Sequence, residues 1–173
     1  MSEVTYLSEL GRAMGLVASR PNTLFVGQAV AYPGQAAFKS FVEVPMEKRI
    51  EMPVAEEFQM GFCTGLALEG FIPVCFYPRW DFLILALNQL VNHLDKMPYF
   101  GFFPKVLIRV GIGRAEPLDP GPQHCQDYSG PVRQMLKTIK VVNLPSKETI
   151  VPVYTMALDS EGPVVIVEDM RLY

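Results

Sequence analysis

Five short runs of strand-forming apolar residues recur along the chain: TLFVG (23–27), FIPVCFY (71–77), KVLIRVG (105–111), KVVNLP (140–145) and PVVIVED (163–169). A weaker sixth, KRIEM, covers 48–52. Between them lie stretches of helical length. TYLSELGRAMGLVA (5–18) repeats Leu7, Leu10, Met14 and Val17 on one face. Further helices are expected from about residue 56, over 80–97, after Pro131, and over SKETIVPVYTMALD with Ser146 as its cap. Strands alternating with helices of this length predict an α/β domain with a mostly parallel sheet and helices on both faces.

A chain of 173 residues is expected to form a single domain over 1–173, burying roughly 70% of its unfolded surface. A net charge of −3 and a pI near 5.4 argue against nucleic acid as a partner. Cys63, Cys75 and Cys125 form no C-x-x-C pair, and MSEVTYLSELGRAM has no apolar leader segment, so a reducing cytoplasm is the expected location. The longest apolar run, FLILALNQLV (82–91), is too short to span a bilayer and reads as a buried core helix. The wider 80–97 segment is apolar nearly all round, which predicts a place between layers or inside an assembly. No membrane contact is expected.

The helix opening at EMPVAEEFQMGFCTGLALEG (51–70) carries Glu56 and Glu57 in its first turn, then Gly61 and Gly65. Each interior glycine costs up to about 1 kcal/mol relative to alanine. Two readings remain open on spacing alone. In one, the acids simply favour the helix macrodipole. Alternatively, the glycines bare one face so that a helix or ligand approaches, and Glu56, drawn from water there, has its pKa raised towards the range of proton transfer. Of the two histidines, His93 lies on the long apolar helix and reads as structural, whereas His124, in a Gly/Pro loop, suits proton transfer or substrate polarisation.

The run MPVAEEFQMGFCTGLALEGFIPVCFYPRWDFLILALNQLVNHLDKM, followed by GPQHCQ, KVV-NLPS and GPVVIVEDMRLY, resembles the pyrimidine-binding domain of thiamine-diphosphate enzymes. The form it resembles is that of 2-oxoacid dehydrogenase beta subunits, and the similarity runs from about residue 22 to the end. It implies the thiamine diphosphate-binding fold and thiamine diphosphate as cofactor. Glu56 matches the glutamate that hydrogen-bonds the aminopyrimidine and favours the tautomer that removes the thiazolium proton. Phe82 matches the aromatic stacked on the pyrimidine, and His124 the histidine of the loop facing the substrate. Gln28 stands at the cofactor site, where the family often has an acid. Ala29 replaces a second acid, and Phe58 replaces the family glycine after the glutamate. The resemblance also implies that the glycine-bearing helix packs at a subunit interface.

The family holds Mg²⁺ and the diphosphate through a Gly-Asp-Gly motif, which the 173 residues lack. No metal ligand is therefore assigned to this chain. A separate diphosphate-binding, alpha-like chain is expected to carry the magnesium in an alpha2beta2 heteromer. The C-terminal domain of family beta subunits has no counterpart in this sequence. The expected function is a pyrimidine-binding subunit acting on a small 2-oxoacid, active only with its partner, by decarboxylation or acyl transfer. The alternatives are a transketolase-like ketol-transfer subunit and a non-catalytic scaffold subunit that kept the fold.

Overall fold

The computed structural model describes residues 4–113 and 120–173. Six strands, β1 (Thr23–Gly27), β2 (Arg49–Glu51), β3 (Ile72–Tyr77), β4 (Leu107–Ile112), β5 (Lys140–Leu144) and β6 (Val164–Asp169), form one sheet in the order β2-β1-β3-β4-β6-β5. Every adjacent pair is parallel, so the sheet expected to be mostly parallel is wholly so. Its strands read as continuous apolar runs because both faces are covered. Val74 and Phe76 of β3 face a core shared with α1 (Tyr6–Ala18) and α5 (Lys147–Asp159). Cys75 and Tyr77 face a second core under α2 (Glu56–Leu68), α3 (Trp80–Leu83) and α4 (Ser129–Met135).

Local sequence explains most element ends. Thr5 and Ser8 form a capping box on α1, with Ser8 N–H donating to Thr5 Oγ1 at 3.1 Å and Thr5 N–H to Ser8 Oγ at 2.9 Å. The helix expected after Pro131 starts earlier, at Ser129. Pro131 sits in its first turn, where a missing N–H costs nothing. Ser146 does occupy the N-cap of α5, but its side chain makes no capping bond. It is engaged by the carboxylate of Glu148 instead. The Gly/Pro loop read over 111–126 lies partly outside the described residues, at 114–119.

The segment read as a buried core helix is buried on one side only. After α3 it continues as a 3-10 turn (Ile84–Ala86), a π-helical stretch (Asn88–His93) and a second 3-10 run (Leu94–Phe100). Leu83, Ala86, Leu90 and Leu94 face the sheet, whereas Leu85 is 60% exposed and Ile84 also turns outward. The sheet offers cover on one side of this helix alone.

Two buried ionic clusters brace the fold. Arg109 of β4 and Glu168 of β6 are both fully buried and paired in a fork, Nε to Oε2 at 2.8 Å and Nη2 to Oε1 at 3.1 Å. The Tyr173 hydroxyl donates to the same carboxylate at 2.5 Å, and the guanidinium lies against the rings of Phe41 and Phe76. The second is Asp95, fully buried where the π-helical stretch gives way to the 3-10 run. Its carboxylate accepts the N–H groups of Lys137, Thr138 and Ile139 and the Lys96 ammonium, at 2.6–3.1 Å. It thereby moors the long helix to the chain entering β5.

Burial alone would raise the Asp95 carboxyl, but Lys96 and the three N–H groups outweigh it and hold its pKa at about 2. A folded pKa below the unfolded value stabilises the fold above the unfolded pKa, and this contribution fades as pH falls from about 4 towards 2. Its size is about 2 kcal/mol. Asp95→Asn should lower the urea midpoint at pH 7, and the gap from wild type should close as pH approaches 2. A gap that stays constant over that range would show that the carboxylate charge is not what holds the junction.

Candidate active site

In a parallel sheet every strand delivers its following loop to the same edge, and ligands of such folds bind there. Gln28 follows β1, Glu56 opens α2 after β2, Phe82 lies in α3 after β3, and His124 sits in the loop after β4. These four strands are neighbours in the order β2-β1-β3-β4. All four residues singled out from the sequence therefore lie along the carboxyl edge, each carried by a different strand.

Glu56 is the first residue of α2 and only 6% exposed. The Tyr77 hydroxyl donates to its main-chain carbonyl at 2.8 Å, and Gln28 Nε2 approaches its carboxylate at 3.4 Å. Beneath the helix, Gln59 donates to the Phe76 carbonyl at 2.9 Å, which locks α2 onto β3. Cys63 and Cys75 are buried free thiols in the same layer, where burial pushes the Cys63 thiol well up. Burial likewise raises the Tyr77 phenol.

Phe82 and His124 meet at 5.2 Å between ring centroids, tilted by 32°. His124 Nδ1 is buried and has no hydrogen-bond partner among the described residues. The loop that carries it is tied to α3 by Gln126 N–H, 3.4 Å from Asp81 Oδ2. The structure thus gathers the predicted residues in two pairs, Glu56 with Gln28 and Phe82 with His124. His93, by contrast, is exposed on the π-helical stretch.

The paired acids separate by direction. Glu56 turns in, while Glu57 turns out and accepts from Asn88 Nδ2 at 3.0 Å. The glycines also differ in what they permit. At Gly27 an added Cβ would lie 2.5 Å from the Phe76 carbonyl oxygen, so the close approach of β1 to β3 excludes any side chain. At Gly61 a Cβ would meet Gln89 at an ordinary 3.6 Å, and at Gly65 nothing lies within 4 Å. Nothing among the described residues requires glycine at either helical position. Phe58 is 62% exposed and stacks on Phe62, on the outward side of α2.

Sequence reasoning missed Glu51. Its carboxylate accepts three consecutive backbone N–H groups, those of Ala29 (2.5 Å), Val30 (3.0 Å) and Ala31 (2.8 Å). Ala29 is held there at φ +55°. The carboxylate therefore shapes the loop that presents Gln28. The available signal was an acid near the end of the KRIEM run, just before Met52-Pro53, where a strand hands over to the site. Glu51→Ala should destabilise the chain by roughly 2 kcal/mol through the orphaned donors. It should also speed hydrogen exchange at the amides of 29–31, and unchanged exchange there would remove Glu51 from this role.

No family model matches the chain. It is 29% identical over 180 residues to the mitochondrial pyruvate dehydrogenase E1 component subunit beta of Chaetomium thermophilum, covering 100% of this chain and 46% of that protein. To the corresponding subunit of Caenorhabditis elegans it is 28% identical over 178 residues, covering 99% and 50%. Among solved structures, a split-gene transketolase described as an inactive beta4 tetramer superposes with a TM-score of 0.74 at 19% identity, over 98% of this chain and 52% of that one. The chain thus spans about half the length of the relatives it matches. Along its whole length it is similar to pyruvate dehydrogenase E1 beta subunits, and it shares the fold of the split-gene transketolase chain.

Proposed function

We propose that this chain is the pyrimidine-binding subunit of a thiamine-diphosphate enzyme acting on a small 2-oxoacid, completed by a separate diphosphate-binding chain. The observation that carries the reading is the buried Glu56 carboxylate at the carboxyl edge, which among the described residues has only a long contact from Gln28. An aminopyrimidine has apolar faces and hydrogen-bonding edges. The half-buried Phe82 ring suits a face, and the under-used Glu56 carboxyl suits an edge.

When bound, thiamine diphosphate supplies a carbon nucleophile that cleaves the bond beside a carbonyl. Glu56 would hold a proton at the pyrimidine ring nitrogen, and Gln28 would orient the carboxyl. His124 would pass protons at the substrate end through its free Nδ1. The diphosphate and its Mg²⁺ are assigned to the partner chain. The outward side of α2 and of the helix after α3, with Gly65, Phe58, Ile84 and Leu85, suits that partner. An alpha2beta2 assembly of this kind is in keeping with relatives named as beta subunits.

The transketolase-like neighbour favours ketol transfer as a second reading of the same site. Gln28 and Ala29, standing where the family often has acids, favour a scaffold subunit that kept the fold and lost the chemistry. The two classes part cleanly. The tagged chain is purified from its own cells in Mg²⁺ and thiamine diphosphate, and what accompanies it is identified by mass spectrometry. A stoichiometric chain carrying Gly-Asp-Gly is expected. In that complex Glu56→Gln should cut turnover by about 100-fold or more. Turnover that survives the change would leave the scaffold reading standing.

Gly65→Ala offers an independent check on the interface. The isolated chain should gain about 1 kcal/mol of stability, since the new methyl group meets only open space. Sedimentation should show weaker assembly with the partner. Unimpaired assembly would mean that this face of α2 lies outside the interface.

A further inference from the structure

The geometry points to Arg79 as the residue that grips the anionic group of the donor substrate, an assignment that rests on the function proposed above. Arg79 occupies the turn between β3 and α3, and its carbonyl accepts the N–H groups of Phe82 (3.2 Å) and Leu83 (3.3 Å). Its backbone is therefore fixed to the turn that carries Phe82. Its side chain is half-buried, yet among the described residues it makes one hydrogen bond, from Nη1 to the neighbouring Pro78 carbonyl at 3.2 Å. A guanidinium has five N–H donors, so most of this fork is free.

The groups whose charge acts on it are Tyr173, Cys125, Asp81 and Glu168. Glu168 is already taken by Arg109 and Tyr173. Asp81 accepts from Gln126 and pins the His124 loop. Among the described residues Arg79 forms no ion pair. Arg109, a few residues away across β3 and β4, shows what a carboxylate-paired guanidinium looks like in this fold: a bidentate carboxylate on one edge and aromatic rings on its faces, with Nη1 alone unpartnered among the described residues. Arg79 is half-buried with no carboxylate paired to it among the described residues, and that burial loosens its hold on its proton. A planar carboxylate, or a phosphate, would supply the missing partner in fork geometry. It would do so beside Phe82 and the loop that presents the unpartnered Nδ1 of His124.

The test uses the purified complex with three donors: 2-oxobutyrate, which carries a carboxylate, xylulose 5-phosphate, which carries a phosphate, and erythrulose, which is uncharged. Arg79→Met should raise KM about tenfold or more for the anionic donor that the complex uses, the loss of one charged hydrogen-bonded pair. Values of kcat, thiamine diphosphate affinity and KM for erythrulose should stay within about twofold, and Arg79→Lys should fall between. Whichever anionic donor responds identifies the group as carboxylate or phosphate. An unchanged KM for both anions, or an equal rise for erythrulose, overturns the assignment, with circular dichroism checking that the variants fold. If wild-type turnover does not depend on thiamine diphosphate, or survives Glu56→Gln, the proposed function itself has failed and Arg79 falls with it. Thiamine-dependent turnover with KM unmoved by Arg79→Met defeats the Arg79 assignment alone.

Discussion

The wholly parallel sheet is the constraint on which the rest of the structure depends. Parallel neighbours require crossovers, crossovers put helices on both faces, and the faces then have to be apolar. The same constraint sends every strand's carboxyl end to one edge. Four residues from distant parts of the sequence reach that edge because β2, β1, β3 and β4 lie side by side. Gly27 matters for the same reason. Without a side chain there, β1 can approach the Phe76 carbonyl as closely as the edge requires.

The candidate site is assembled from parts already held in place and parts left open. Glu51 folds the loop that carries Gln28, Gln59 fastens α2, and Asp81 fastens the loop of His124. What is left open are the Glu56 carboxyl, His124 Nδ1 and one face of α2. Stiff supports around polar groups with unused bonding capacity suit a surface shaped before its ligand arrives. They suit a self-sufficient core poorly, since a chain folding only for its own sake would have little use for Gly65.

Much of this was legible in the sequence. Apolar runs of fixed length matched the strands to within two residues, because burial on both faces of the central strands leaves no polar alternation to misread. Glu56 and His124 stood out by their place in a helix turn and a Gly/Pro loop, and Phe82 and Gln28 through the family resemblance alone; the parallel sheet then turns their sequence order into position along an edge. Three features were not legible. Arg109 reads as an interruption in KVLIRVG, and only its partner 59 residues away makes it a core residue. Glu51 works through backbone N–H groups, which carry no residue signature, so its place at a strand end marked the position but not the role. The 82–91 run looked buried because all its faces are apolar. The sheet covers only the side that carries Leu83, Ala86, Leu90 and Leu94, so Leu85 is left pointing outward.

The Arg109–Glu168 pair limits how this sequence can drift. Removing one member of such a pair strands the other charge in the core at a cost of about 3–5 kcal/mol. That is a large part of the roughly 5–15 kcal/mol that holds a domain together. Replacing both at once with apolar side chains of similar volume is often close to neutral. Each single step is therefore closed while the double step is open, so the two positions should persist together or vanish together among descendants of this chain. Tyr173, whose hydroxyl completes the pair, would be released from its own constraint only after they had gone.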